Sequence, residues 1–233
     1  MDLRDRRVLV TGASSGLGRE MAIGLARDYG AHPILVARRR ERLDALRREI
    51  ESGHDVGAHV LPADLSRPED VDRVFEESTR AGPVDCVVLN AGVTYFGPHS
   101  ELGWPEYESI VATNLTSVVR LTDLFVPYLI EQQRHGAVMI VTSLAGLIPT
   151  PYQAVYSGTK AFLTHFGQSL AEELHGRDVS LTVFAPGGIA TEMNHKSGLA
   201  AGFEGSLLLQ RPDRCAREGL SAMVARRRLA VPG

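Results

Sequence analysis

"RVLVTGASSGLG", Arg7 to Gly18, decides the fold, and it admits two readings. Taken as Gly12-x-Ser14-x-Gly16, it is a nucleophile elbow with Ser14 as the attacking group of a hydrolase. Taken as Gly12, Gly16 and Gly18 after a β-branched run, it is a turn that receives a dinucleotide. An elbow needs an oxyanion donor from an earlier loop and then an acid and a histidine downstream, whereas this motif sits on the first strand candidate. That is where a doubly wound fold places its phosphate site. Gly12 permits the tight turn, Gly16 lets backbone approach a pyrophosphate, and Gly18 permits close helix packing. The helix N-terminus supplies N–H groups and positive potential to the phosphates. Ser14 and Ser15 then become phosphate hydrogen-bonders, with Leu17 between the last two glycines. The spacing is G-x-x-x-G-x-G, and no Lys-Ser/Thr follows as a Walker loop requires.

Outward from this turn, short apolar runs alternate with longer segments of helical period. Seven runs read as strands: "RVLVT", "PILVA", "GAHVLPA", "VDCVVLN", "AVMIVTS", "VSLTVFA" and "LAVPG". The first six are nearly continuous in apolar residues, as expected of strands buried on both faces. Helical segments fall at 16–29, 40–51, 68–81, 104–133, 152–175 and 212–226. The alternation predicts one α/β domain, a Rossmann-type doubly wound sheet of seven parallel strands with helices on both faces. The stretch 187–211, "GGIATEMNHKSGLAAGFEGSLLLQR", fits neither period, and its length suggests a substrate-covering lid at about 188–211.

Composition excludes several function classes. The 233 residues carry a formal net charge of −3, so no overall attraction to nucleic acid or anionic lipid is expected. No stretch reads as a membrane span, and the N-terminal "MDLRDRRVLV" lacks the apolar run of a signal peptide. Cys86 and Cys215 are too few and too far apart for a disulfide framework, and a cytoplasmic location is the natural expectation. The eight histidines show no metal-ligand spacing, so no metal is expected.

At the end of "PILVA", a free ribose 2′-hydroxyl would call for Asp or Glu, and a 2′-phosphate for Arg. The sequence supplies Ala37-Arg38-Arg39, and a guanidinium meets a phosphate through paired charge-assisted hydrogen bonds. NADP(H) is therefore favoured over NAD(H). The bland alternative is that these arginines simply begin a solvated helix.

"AVMIVTS" ends in Ser143, and thirteen residues later comes "YSGTK", Tyr156 to Lys160. Four residues apart on a helix, Tyr156 and Lys160 share a face. A phenol of pKa about 10 is a poor general base at neutral pH unless positive charge lowers that value, and Lys160 is placed to do so. Ser143, at a strand's C-terminal end, can hydrogen-bond the same substrate oxygen. Each of these residues alone is commonplace on a protein surface; their joint placement downstream of a cofactor turn gives them meaning.

From Arg7 to about Met193 the accumulated motifs resemble the short-chain dehydrogenase/reductase family, in its single-domain, NADP-preferring branch. "TGASSGLG" is similar to that family's cofactor turn. Asp64 and Leu65 in "ADL" fall where an adenine would lie, and Asn90, Ala91 and Gly92 match its fourth-strand "NAG". The usual N-N-A-G reads Leu89-Asn90-Ala91-Gly92 here. Asn114 in "ATNL" joins Ser143, Tyr156 and Lys160 to complete a catalytic tetrad. Pro186, Gly187, Ile189 and Thr191 in "PGGIAT" match the segment that holds the nicotinamide. The resemblance implies that Tyr156 exchanges a proton with the substrate oxygen and that Lys160 also binds the nicotinamide ribose. It implies further that Asn114 holds a relay water, that Ser143 orients the carbonyl, and that the protein is a homo-oligomer, a dimer or tetramer.

Candidate pocket residues are Val93, Tyr95, Phe96, Leu144, Ile148, Pro149, Tyr152 and Met193, a mostly apolar set alongside Ser143. They suit a medium-sized ketone, aldehyde or secondary alcohol held by shape. Two other readings share the fold: a 3-oxoacyl thioester reductase, and a non-catalytic NADP-binding regulatory protein.

Overall fold

The computed structural model describes residues 1–189 and 209–232. Seven strands form one parallel sheet: β1 (Arg7–Thr11), β2 (His32–Ala37), β3 (His59–Pro62), β4 (Cys86–Leu89), β5 (Ala137–Val141), β6 (Ser180–Phe184) and β7 (Leu229–Ala230). Their order is β3-β2-β1-β4-β5-β6-β7. Register is continuous: Leu9 pairs with Ile34 on one side and with Val87 on the other. From β1 the chain runs to one edge of the sheet, then returns past it to begin again at β4. The crevice outside the carboxyl ends of β1 and β4 is therefore the switch point at which such sheets bind ligands.

Helices cover both faces, as the alternating pattern predicts. On one face, α1 (Gly16–Tyr29), α2 (Arg40–Gly53) and the C-terminal helix α7 (Pro212–Val224) bury Met21, Leu25, Leu43, Ile50, Leu220 and Met223. On the other, α3 (Pro68–Arg80), α5 (Ser117–Gln132) and α6 (Ala154–Glu173) bury Val71, Val74, Leu121, Phe125 and Leu163. Phe125 packs edge to face on Phe75, ring centroids 5.0 Å apart. Truncating a fully buried aromatic of this kind costs about 3–5 kcal/mol.

The segment read as a single helix over 104–133 is interrupted. Helix α4 (Trp104–Val111) passes through a π turn at Ala112–Thr116 before α5 begins. Such turns concentrate at functional sites, and this one carries Asn114, wholly buried. Within the same stretch, Trp104–Gln132, 29 residues long, an 18-residue window reaches a mean hydropathy of 1.2, enough by length and composition alone to cross a membrane. Its Val118, Leu121, Phe125 and Leu129 are buried in the core beneath the sheet, so core packing accounts for that hydropathy.

Three boundaries differ from expectation. β7 stops at Ala230 because Pro232 has no N–H to offer a ladder, leaving a two-residue edge strand. β3 shrinks to His59–Pro62 for want of a partner on its outer side. Helix α6 starts at Ala154, because Tyr152 turns into the left-handed region at φ 64°. Most of the expected lid, together with Thr191 and Met193, lies outside the described residues. The two ends of that segment meet: Ile189 bridges Gln210, whose N–H donates to the Gly188 carbonyl at 2.9 Å.

Candidate active site

A cleft of about 630 Å³ runs along the carboxyl ends of the strands, from Arg38 and Arg39 at one end to Ser143, Leu144 and Tyr156 at the other. Its first half is made of backbone. Gly12 adopts φ 70° after β1, and a Cβ there would stand 2.9 Å from the Ala91 Cα. Only glycine satisfies both constraints. The Thr11 hydroxyl accepts the N–H groups of Asn90 and Ala91, each at 2.9 Å, and Asn90 Nδ2 donates to the Thr11 carbonyl at 3.0 Å. Those bonds lock the ends of β1 and β4 together. Thr11 escaped the sequence reading because its partners lie about eighty residues away.

Helix α1 opens with a free positive end. Ser15 occupies the N-cap position yet makes no capping bond, and the first turn carries no acidic residue. The hydroxyls of Ser14 and Ser15 instead accept from Arg39 Nη2, at 3.1 and 3.2 Å. The orphan N–H groups of the helix thus face the cleft without a carboxylate to neutralise them. Asp64 and Leu65 line the adjacent wall, and Asp64 Oδ1 accepts from both the N–H and the hydroxyl of Ser66. A dinucleotide fits this half: the glycine turn leaves room that a Cβ would fill, the helix end suits a pyrophosphate, and the arginines stand at the outer end.

The second half is made of side chains. Ser143 leaves β5 in extended conformation, and its Oγ accepts from the Ala145 N–H at 3.1 Å. Tyr156 projects from the first turn of α6 and lines the same end of the cleft as Ser143. One turn on, Lys160 is 4% exposed, its ammonium donating to the Val141 carbonyl at 2.9 Å. Burial pulls the Lys160 pKa down to about 8. Burial also raises that of Tyr156, against the smaller opposing effect of Ser143. The positive charge expected to lower the tyrosine pKa is that of Lys160 together with an oxidised nicotinamide; in the protein by itself desolvation dominates, and the Lys160 Nζ lies 5.8 Å from the ring centroid.

Asn114 stands behind this group. Its Oδ1 accepts from the Val93 N–H and its Nδ2 donates to the Val93 carbonyl, both at 2.8 Å. The side chain is thereby spent as a strut between the π turn and the loop after β4. Gly18 also lies outside the cleft lining: a Cβ there would sit 2.5 Å from the Gly12 carbonyl oxygen, so it serves helix packing. Gly12, Ser14, Ser15, Gly16, Leu17, Asn90, Ala91, Gly92, Pro186, Gly187 and Ile189 all line the cleft. Val93, Leu144 and Ile148 do so as expected; Tyr95 and Tyr152 line a neighbouring cavity instead. Phe96 packs on Tyr152 with ring centroids 5.6 Å apart. Thr94, Thr113 and Gln153 were missed; Gln153, buried, donates to Thr94 Oγ1 at 2.8 Å. Its only sequence signal is its place three residues before Tyr156.

Among the described residues no cluster could hold a metal ion. Burial pushes both cysteine thiols up to about 12, which leaves them inert.

Comparison with known proteins agrees with this geometry. The family model for short chain dehydrogenases matches residues 6–201. An uncharacterized oxidoreductase of Myxococcus xanthus is 37% identical over 191 residues, 81% of this chain and 74% of that protein. A very-long-chain 3-oxoacyl-CoA reductase of Podospora anserina is 38% identical over 181 residues, 75% of this chain but only 53% of that longer protein. Among solved structures, a short-chain dehydrogenase from Sphingobium yanoikuyae in complex with NADPH superposes with a TM-score of 0.90 at 28% identity, covering 97% of this chain and 87% of that one.

Proposed function

This chain belongs to the short-chain dehydrogenase family of oxidoreductases, which use a nicotinamide cofactor on CH–OH and C=O groups, and we propose that it is an NADP(H)-dependent reductase of apolar ketones or aldehydes, or dehydrogenase of the matching secondary alcohols. One observation carries the reading: Ser143, Tyr156 and the buried Lys160 line one end of the same cleft whose other end holds Arg39 against Ser14 and Ser15.

The bound cofactor supplies or accepts the hydride. The chain supplies everything else. Ser143 orients the substrate oxygen by donating to it, and Tyr156 delivers a proton to that oxygen in reduction or takes it in oxidation. A tyrosine held neutral by burial is well suited to donate. Lys160 sets positive charge beneath the site and is placed to hold the nicotinamide ribose. Asn114 fixes the loop after β4, and so the Val93 wall of the cleft. Leu144 and Ile148 keep water from the reacting atoms. At the far end, Arg38 and Arg39 with the Ser14 and Ser15 hydroxyls provide donors for a 2′-phosphate.

The test is a fluorescence titration with NADPH and NADH, repeated on the Arg38→Ala/Arg39→Ala variant. NADPH affinity should fall by about 10- to 100-fold and NADH affinity should hold. Equal binding of both nucleotides by the unaltered protein would refute the NADP preference. A second reading, reduction of a 3-oxoacyl thioester, draws support from the Podospora relative and from the exposed apolar rim of Leu144, Leu147 and Ile148. Rates on an acyl thioester and on a plain ketone of equal carbon number separate the two.

A further inference from the structure

A second cavity, about 350 Å³, lies on the other side of Tyr152, between the loop after β4, helix α4 and the start of α6. Gln153 and Tyr156 line both this cavity and the main cleft, so the two spaces adjoin at the start of α6. We propose that this cavity receives the distal part of the substrate, and that the part it takes is a compact carbocycle, aromatic or alicyclic, of about two fused rings. The proposal rests on the carbonyl-reductase reading above and names its substrate class.

Three observations support it. The first is the chemistry of the walls: Tyr95, Leu102, Tyr107, Ile110 and Tyr152 present rings and branched aliphatic groups, and no charged side chain other than a titratable histidine, His99, lines the space. The polar tips of the two outermost rings are already engaged with each other. Tyr107 stacks on His99 with centroids 5.0 Å apart, and its hydroxyl bonds both the His99 Nδ1 and the His99 carbonyl. Tyr95 and Tyr152 add two further rings to the lining, and ring faces and edges suit another ring.

The second is that the wall is held open at a conformational cost. Tyr152 sits at φ 64°, a region bulky side chains rarely adopt. Its carbonyl accepts the Gly97 N–H at 3.0 Å, which ties the loop after β4 to the start of α6. Gly97 stands against the Tyr95 ring tip, which an added Cβ would displace. Gln153 adds the parallel tie to Thr94. Strain of this kind persists where surrounding structure imposes it, and it clusters at ligand sites.

The third is size. An apolar cavity of about 150 Å³ suffices for benzene. The main cleft must also accommodate a dinucleotide along most of its length, so a substrate larger than a few carbons needs space elsewhere. This cavity offers room for about two rings.

The test uses carbon-matched ketones with the full chain and NADPH: 2-acetylnaphthalene against 2-dodecanone, with 2-butanone as the small reference. The naphthyl ketone should have a kcat/KM about tenfold or more above that of 2-dodecanone, because its rigid rings pack on the ring-lined walls while a flexible chain must give up its rotamer freedom. Leu102→Trp, which fills the cavity, should cut the ratio of naphthyl ketone to 2-butanone by about 10- to 100-fold, and Leu102→Ala should move preference toward larger rings. Preference for 2-dodecanone, or a Leu102→Trp variant that leaves the ratio unmoved, would overturn the proposal. Calorimetric titration of the NADP+-loaded protein with 2-acetylnaphthalene reads the cavity without turnover. Binding lost in Leu102→Trp supports the cavity even if no ketone is reduced, in which case it is the reductase reading that fails. Absence of binding overturns the cavity itself.

Discussion

The two ends of the main cleft are built of different material. Around Gly12 and α1 the site is backbone: a left-handed glycine, an uncapped helix end, and strand termini locked by Thr11. Around Tyr156 it is side chain: the Ser143 and Tyr156 hydroxyls, a buried ammonium, and a strut from Asn114. Backbone sites fail as a unit when a single atom intrudes, because the main chain cannot turn aside. Side-chain sites can lose one function and keep the fold. The contrast predicts which substitutions unfold the protein and which silence it.

The largest effect expected is functional only. Tyr156→Phe removes the proton donor but leaves the ring in place, and turnover should drop by about 10²- to 10⁴-fold. Thermal stability and NADPH affinity should stay close to those of the unaltered protein. If nucleotide binding collapsed in parallel with turnover, the two ends would not be separable as described.

Lys160→Met should raise stability while it stops turnover. The ammonium is buried with one carbonyl partner, and its pKa falls from 10.5 to about 8. Below pH 8 both folded and unfolded chains carry the proton, and the full penalty of burying charge is present. Between pH 8 and 10.5 the unfolded chain holds a proton that the folded chain has lost, so stability rises with pH across that window. The methionine variant has no such rise. At pH 7 it should be more stable by about 3 kcal/mol, less whatever is lost at the Val141 carbonyl, and the difference should shrink as pH approaches 10.5. Urea midpoints at pH 7 and 10 measure both. A variant less stable than the original at pH 7 would show that the Val141 hydrogen bond outweighs the cost of burial.

Gly18→Ala tests the opposite end. Its Cβ would meet the Gly12 carbonyl oxygen at 2.5 Å, and that oxygen belongs to the turn itself. Relief requires α1 to move, at about 1–3 kcal/mol. In a chain of this size the melting temperature should fall by about 5 °C, and nucleotide binding should fall with it. A variant that melts earlier but binds NADPH normally would show that the turn can relax independently of the helix.

The same contrast explains what could be read from sequence. The nucleotide end was legible because its requirement is written in residue type: glycine is strongly favoured at the positive φ of Gly12 and Gly16, and continuous apolar runs mark strands buried on both faces. Tyr156 and Lys160 were legible because helical spacing alone puts them on one face. The hidden parts depend on partners distant in the chain. Gln153 reaches Thr94 fifty-nine residues away, and Thr11 reaches Asn90 seventy-nine away. The π turn at Asn114 carries no glycine or proline to announce it, and the raised pKa of Tyr156 follows from a burial that spacing does not reveal. The cavity beyond Tyr152 was invisible for the same reason, since its walls come from both sides of α4 and α5 in the chain order.

The smallest expected effect discriminates most finely. Ser157 follows Tyr156 in the chain, and its hydroxyl donates to the Ala145 carbonyl at 2.5 Å, joining α6 to the turn that begins at Ser143. Beside it, Gly146 packs so closely that a Cβ would stand 2.6 Å from the Lys160 carbonyl. Helix and turn are thus held at one separation, and with them the distance between the Ser143 and Tyr156 hydroxyls. Ser157→Ala leaves the Ala145 carbonyl without that donor, at a cost of about 1 kcal/mol. If the reaction end is a set of positioned side chains, the loss should appear as a few-fold fall in kcat, with NADPH affinity unchanged and partial recovery in Ser157→Thr. If the bond only adds stability, kcat should stay level while the urea midpoint falls. The first outcome makes Ser157 a positioning residue for the hydroxyl pair; the second leaves Gly146 and the close packing of the turn to set that distance alone.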